Sequence, residues 1–178
     1  LNARIRKRYL RGEVLIGVIG EPVDLTYPYN YLGAGPETLA GFAAHAPASK
    51  QRPMIIVGAG AYDRPDGAAV MATAAKAALA LGVIKAGWNG FAVLHHAASM
   101  VGGLDLGLAD RAARTADVIY NLGADETDIP VGPFVIYQGT HGDRGAHRAD
   151  VVLPGAAYTE KSATYVNTEG RPQMTTRA

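Results

Sequence analysis

The sequence predicts an α/β fold, a doubly wound and mostly parallel sheet with helices on both faces, built by residues 1–178 as a single segment. Three observations predict it. Five short apolar runs are continuous and not alternating, the pattern of strands buried on both faces of a helix-covered sheet. Those runs stop at Gly or Pro-Gly turns. Helical stretches lie between them, and strand–helix alternation with Gly-rich crossings defines a doubly wound sheet.

Taken in order, Val14 to Ile19 is the first run and stops at Gly20. Gly20 to Gly35 is a long loop rich in Tyr and Pro. Long loops in compact domains are functional or lie at interfaces, so Tyr27, Tyr29 and Tyr31 read as exposed interface aromatics. Pro36 to His45 reads as a helix with Pro in its first turn. Met54 to Val57 precedes Gly58-Ala59-Gly60, and the Ala-rich Asp66 to Leu81 stretch is a second helix, closed at Gly82 by a left-handed cap. Its small side chains let a helix approach a sheet closely. Phe91 to Met100 reads as a third helix, ending at Gly102-Gly103, with His95 and His96 on different faces. Val118 to Tyr120, Phe134 to Tyr137 and Val151 to Leu153 complete the strands, stopped by Gly123, Gly139 and Pro154-Gly155. A last extended piece, Thr164 to Val166, leads into a turn at Glu169-Gly170.

At 178 residues and 48% hydrophobic, the chain can bury the core of one ordinary domain. Lys+Arg 17 against Asp+Glu 16 leaves +1, so no whole-chain field recruits nucleic acid or anionic lipid. The basic run Arg4, Arg6, Lys7, Arg8 and Arg11 reads as a solvated helix face or an inter-domain connection. There is no cysteine, which removes disulfides, thiolate catalysis and ordinary Cys-ligated iron–sulfur clusters from this segment. The longest apolar stretch, Ala68 to Leu81, is interrupted by Lys76 and falls short of the ~20 residues a spanning helix needs. No charged-then-apolar signal peptide is present. The first residues already read as helix without an initiator Met, so the sequence is expected to be an excerpt of a longer subunit.

Several sets carry chemistry, each with a plainer account. Gly58-Ala59-Gly60 after a strand is the start of a dinucleotide loop, but the next Gly is Gly67, too late for G-x-G-x-x-G, and a strand-to-helix turn suffices. His141, Asp143 and His147 offer two imidazoles and a carboxylate, the donor set of a facial triad. On a helix only Asp143 and His147 share a face, and an Asp–His hydrogen bond in a polar loop is the simpler reading. Asp125, Glu126 and Asp128 lie past a strand's C-terminal end, where α/β folds place ligands, and they suit a hard cation or a solvated turn before Pro130. Glu160-Lys161 beside Ser162 suggests Ser-Lys chemistry, yet adjacent loop residues do not face each other. No catalytic, cofactor-binding or metal-ligating residue is nominated.

The run from Ala149 to Gln173 reads A-D-V-x-L-P, then Glu160, Thr164 and Asn167-x-Glu169-Gly170-Arg171-x-Gln173. It resembles a segment of the molybdopterin oxidoreductase superfamily. The variant from Pro154 to Asn167 resembles most closely the largest iron–sulfur subunits of respiratory complex I, the NADH:quinone oxidoreductase. Arg4-Ile5-Arg6-Lys7, Gly20 to Tyr27, Leu32 to Pro36, Asp66 to Ala69, Leu104 to Gly107 and Tyr137 to Asp143 resemble the same subunits in order, so the likeness covers nearly the whole chain. It implies a domain of the formate dehydrogenase/DMSO reductase type. It implies a full subunit that carries 4Fe-4S and 2Fe-2S clusters on Cys-rich domains upstream and relays electrons from NADH toward quinone. It implies other subunits of the peripheral arm as partners. It also implies a peripheral position on the cytoplasmic side of the bacterial inner membrane, or the matrix side of the mitochondrial one. In that setting Pro154, Glu160, Lys161, Thr164, Asn167, Glu169, Gly170 and Arg171 form a structural signature, and the segment's own role is scaffolding and docking. Asn167, Glu169 and Arg171 are expected to staple the last loop to the strand ends, with Arg171 as a buried member of the set. The rival is a piece of an active molybdopterin enzyme of the formate dehydrogenase or nitrate reductase kind.

Overall fold

The computed structural model describes residues 1–12, 14–45, 51–108 and 115–178. These divide into two compact units, Leu1–His96 and Ala97–Ala178. Both mix helices with small, mainly parallel sheets.

In the first unit, α1 (Asn2–Tyr9) precedes β1 (Gly17–Ile19), which pairs in parallel with β2 (Asn30–Gly33). The first strand is shorter than the apolar run suggested, because Leu15 is 92% exposed and outside the ladder. The Tyr-rich loop is tied down internally. Tyr27 is buried and stacks on Tyr9 of α1, with ring centroids 6.0 Å apart, and Tyr29 Oη donates to Val23 O at 2.9 Å. Of the three tyrosines expected at a surface, only Tyr31 is among the exposed apolar side chains.

Helix α2 (Gly35–Ala44) carries Pro36 in its first turn, as expected, and packs on α3 (Gly67–Ala80). Helix α3 ends in a Schellman motif. Gly82 takes φ +64°, its N–H donates to Leu79 O at 3.1 Å, and Val83 N–H reaches back to Ala78 O at 2.9 Å. Val83 is thereby drawn fully inside, next to the buried helix face of Val70, Ala74, Ala77 and Ala78.

Strand β3 (Ile55–Val57) finds its parallel partner in β6 (Phe91–Val93), between which a hairpin of β4 (Ile84–Lys85) and β5 (Trp88–Asn89) is inserted. This overturns the expected helix over Phe91 to Met100. Phe91, Ala92 and Val93 are claimed by ladder bonds to β3, and the helix begins only at Met100 after Ser99, which sits at φ +65°. His95 and His96 therefore lie in the loop after β6 and not on a helix.

The second unit holds α4 (Met100–Asp105), a parallel three-stranded sheet in the order β7 (Val118–Leu122), β8 (Phe134–Gly139), β9 (Val151–Pro154), and the short helix α5 (Arg144–His147) between β8 and β9. An antiparallel pair, β10 (Thr164–Val166) and β11 (Pro172–Met174), follows. Strand β10 is fastened to the start of α4, because Val166 N–H donates to Ser99 Oγ at 3.0 Å. Burial is one-sided in the β7–β9 sheet. Val135 and Tyr137 are sealed, at 0% and 1% exposure, whereas Tyr120 and Leu122 on the opposite face are 51% and 70% exposed.

Candidate functional site

Ligands of open parallel sheets sit beyond the strands' C-terminal ends. In the second unit that edge is a crevice of about 580 Å³, walled by the ends of β7 and β8 and by the loop after β9, with Asp125, His141, Tyr158 and Lys161 among its lining residues.

Its floor is built around Tyr137. The last residue of a Phe-Val-Ile-Tyr run carries its ring into the core, and a buried phenol needs a partner. Asp125 supplies one: Tyr137 Oη donates to Asp125 Oδ1 at 3.2 Å, and the Gly145 amide of α5 donates to the same oxygen at 3.1 Å. Burial first, and the Asp125 carboxylate second, push the Tyr137 hydroxyl above the usual phenol range. The ring also dictates glycine around it. A Cβ on Gly139 would overlap the Tyr137 hydroxyl, and one on Gly145 would meet Tyr137 Cε2 at 2.7 Å and Ala124 O at 2.9 Å.

The acidic turn is thus a set of ties and not a cation site. Asp125 holds Tyr137 and α5, Asp128 pairs with Arg144, and Arg148 Nη2 donates to Pro130 O at 2.8 Å. Buried Asn121 serves the same loop, donating to Ala124 O at 2.8 Å. His141, Asp143 and His147 are not brought together. His141 Nδ1 is 2.8 Å from Thr140 Oγ1, Asp143 precedes α5 in extended conformation, and His147 ends that helix. Among the described residues no group of three or more His, Asp or Glu is placed to hold a metal. In the first unit, His96 Nε2 lies 3.3 Å from Asp63 Oδ2 and the His95 ring tilts against Tyr62, both links being local.

The strand-end glycines offer few free amides for a phosphate. Gly123 N–H donates to Gln138 O and Gly155 N–H to Gly139 O, each at 2.8 Å. The Gly58-Ala59-Gly60 turn closes on itself as a 3₁₀ turn, with Ala61 N–H on Gly58 O and Tyr62 N–H on Ala59 O, both at 3.0 Å. Phosphate binding at such turns needs unspent N–H groups. With no cysteine in the chain, the residues offer no thiolate for a Cys-ligated cluster.

The Ala149–Gln173 signature resolves into turn chemistry. Asp150 closes a reciprocal pair with Val135: its carboxylate accepts from Val135 N at 2.7 Å and its own N–H donates to Val135 O at 2.9 Å. Pro154 O accepts from Gln138 Nε2 at 3.0 Å. Glu160 locks its own turn, since Ala157 N–H donates to Glu160 Oε2 at 2.8 Å and Glu160 N–H to Ala157 O at 2.9 Å. Lys161 stands at the crevice wall, and Thr164 opens β10 opposite Met174.

Asn167 is the hub of the last turn. Its Oδ1 accepts from Glu169 N and Arg171 N, both at 3.0 Å, and its backbone O from Gly170 N at 2.9 Å, with Gly170 at φ +77°. Of the expected staple of Asn167, Glu169 and Arg171, Arg171 is not buried. Its side chain is 70% exposed and lies 3.7 Å from an equally exposed Glu169. Two positions apart across a tight turn, these side chains meet in solvent, and the stapling falls to the Asn167 amide. The Tyr137–Asp125–Gly145 tie went unseen in the sequence, where the only cue was a Tyr ending an apolar run.

These ties frame the strand ends of an α/β unit, and comparison gives its class: a family model described as molybdopterin oxidoreductase matches residues 1–178, and the chain belongs to that family. Within it, the chain is similar to the NADH-ubiquinone oxidoreductase 78 kDa subunit, mitochondrial, of Neurospora crassa, 47% identical over 100% of the chain and 26% of that protein. It is 41% identical to the NADH dehydrogenase [ubiquinone] iron-sulfur protein 1, mitochondrial, of Solanum tuberosum, over 98% of the chain and 25% of that protein. To an NADH-quinone oxidoreductase subunit of Rickettsia bellii it is 42% identical, over 100% of the chain and 28% of that protein. The chain spans about a quarter of the length of these relatives.

Proposed function

We propose that this chain is a non-catalytic scaffold and docking segment of the iron–sulfur subunit of a respiratory NADH:quinone oxidoreductase. The observation that carries the reading is likeness over 98–100% of the chain to subunits that bear that enzyme's name. Its whole length would be one α/β segment of the subunit's molybdopterin-oxidoreductase-like region, with the doubly wound sheet completed by neighbouring parts. The 4Fe-4S and 2Fe-2S clusters would sit elsewhere in the subunit, other peripheral-arm subunits would be its partners, and the assembly would face the bacterial cytoplasm or the mitochondrial matrix. No helix among the described residues is long and apolar enough to cross a membrane, which accords with a peripheral place. The signature supports a structural role because Glu160 and Asn167 spend their side-chain oxygens on their own turns.

The test is Asn167→Ala in the complete enzyme, reading NADH–quinone turnover divided by assembled complex. Assembly should fall while turnover per complex stays near normal. Collapse of turnover per complex at intact assembly overturns the scaffold role. Metal analysis of the intact subunit should give iron without molybdenum. Stoichiometric molybdenum would assign it instead to an active enzyme of the formate dehydrogenase or nitrate reductase kind.

A further inference from the structure

Asn89-Gly90 is the only Asn-Gly pair in the chain; the other asparagines precede Ala, Tyr, Leu and Thr. An asparagine cyclises when the backbone nitrogen of the next residue attacks its side-chain carbonyl carbon, and glycine offers that nitrogen with no Cβ in the way. Packing explains why glycine stands at position 90. A Cβ there would lie 2.2 Å from Pro53 O and 2.8 Å from Trp88 Nε1, two atoms already joined by a 2.8 Å hydrogen bond. The fold thus demands the one residue that leaves Asn89 chemically open.

The same fold closes the reaction off. The attacking group, Gly90 N–H, donates to Val83 O at 2.9 Å and extends the β4–β5 ladder past Asn89. Gly90 O accepts from Ile55 N at 2.9 Å, which pins the residue to β3 on its other side. Asn89 Oδ1 accepts from Phe91 N at 3.1 Å. Asn89 is exposed and Gly90 buried, so water reaches the side-chain amide but not its attacker. Around this point the hairpin is clamped: Arg52 lies over the Trp88 ring at 5.4 Å, and Lys85 Nζ donates to Gln51 O. Ring closure requires Gly90 N–H to leave Val83 and the Asn89 side chain to leave Phe91, which happens only when the hairpin opens locally.

We infer that Asn89 is a latent deamidation site, shut while the β4–β5 hairpin is seated and open once it lifts away. In the open state the Gly90 nitrogen gives up its proton to solvent and bonds to Asn89 Cγ, and ammonia leaves. Water then splits one of the two ring C–N bonds of the succinimide. Cleavage at Cγ gives aspartate, cleavage at the main-chain carbonyl gives isoaspartate, and nothing is oxidised or reduced. Isoaspartate adds one carbon to the main chain between Trp88 and Gly90. Gly90 can then no longer serve Val83 O and Ile55 N together, and the first rung of β3 with β6, Ile55 opposite Phe91, is lost.

The experiment holds the complete natural polypeptide carrying residues 1–178 at mildly alkaline pH, folded or unfolded in urea. Peptide mass spectrometry follows ammonia loss and both acid products at every asparagine of the segment. In urea, Asn89 should convert at least tenfold faster than any of the others. Folded, it should convert at least tenfold more slowly than in urea. That slowing should be no smaller than the protection of the Gly90 amide against hydrogen exchange, because both need the same N–H set free. Equal rates folded and unfolded overturn the inference, as does an Asn89 no faster than its fellows in urea. So does a Gly90 amide more strongly protected than Asn89 is slowed.

Discussion

Replacing Gly145 by Ala puts a methyl group where the structure has no room. The new Cβ would lie 2.7 Å from Tyr137 Cε2 and 2.9 Å from both Ala124 O and Asp125 Oδ1. Two of these neighbours cannot step aside cheaply, because one is backbone and the other a ring that is 1% exposed. Overpacking of this kind costs about 1–3 kcal/mol. Alanine gains up to about 1 kcal/mol over glycine in a helix, but pushing α5 outward weakens the Gly145 N–H bond to Asp125, a loss of about 1 kcal/mol. The two small terms cancel, leaving a net loss of about 1–3 kcal/mol. For a chain of this size each kcal/mol lowers Tm by roughly 2–4 °C.

Urea unfolding followed by far-UV circular dichroism reads this loss. Trp88, the sole tryptophan, lies in the first unit, and its fluorescence is the internal control. Gly41→Ala supplies the contrast, since a Cβ there meets nothing within 4 Å in the middle of α2. That substitution should stabilise by about 0.5–1 kcal/mol. If Gly145→Ala is as stable as the parent while Gly41→Ala gains, the close approach around Tyr137 is not what demands glycine, and the reasoning fails.

Two further outcomes follow from the same geometry. Asn167→Ala should lower stability by about 1–2 kcal/mol in denaturant titrations, because two turn amides lose their acceptor, whereas Arg171→Ala should change it by less than about 0.5 kcal/mol, as befits an exposed pair; equal effects would return Arg171 to the stapling role. Because folding raises the Tyr137 hydroxyl above its unfolded value near 10, its contribution is fully present below about pH 10 and is lost as pH rises beyond it. Alkaline unfolding should therefore flatten in Tyr137→Phe, and an unchanged pH profile counts against the buried Tyr–Asp tie.

The reach of sequence reading here followed the range of the deciding contact. Gly82 was legible as a left-handed cap because a Schellman motif is written within a few residues. The β8 and β9 runs were legible because apolar residues stop at Gly139 and Pro154-Gly155. Phe91-Ala92-Val93 was misread because a short apolar run carries no usable period, and its partner Ile55-Ile56-Val57 is far away in sequence. Tyr27 likewise read as exposed because its stacking partner is Tyr9, on another element. At the candidate site, the motif from Pro154 to Arg171 could be read as structural, but not which of its side chains hold the turns. Glu160, beside Lys161 and Ser162, looks like chemistry in one dimension and turns out, like Asn167, to be an acceptor for its own turn.

The pairing distances also set an order of assembly. Strand β7 meets β8 across 16 positions, Val118 to Phe134, whereas β3 must wait for β6 across 36, Ile55 to Phe91. Loop closure costs about 0.6 kcal/mol more per doubling of length, so the longer closure is disfavoured by about 0.7 kcal/mol, roughly a threefold handicap in the encounter. The β7–β8 pair should then form more readily than the β3–β6 pair although its residues are synthesised later. Until Phe91 to Val93 is made, Ile55 to Val57 is an unpaired apolar strand, and a nascent chain stalled between residues 57 and 91 is a state in need of a chaperone.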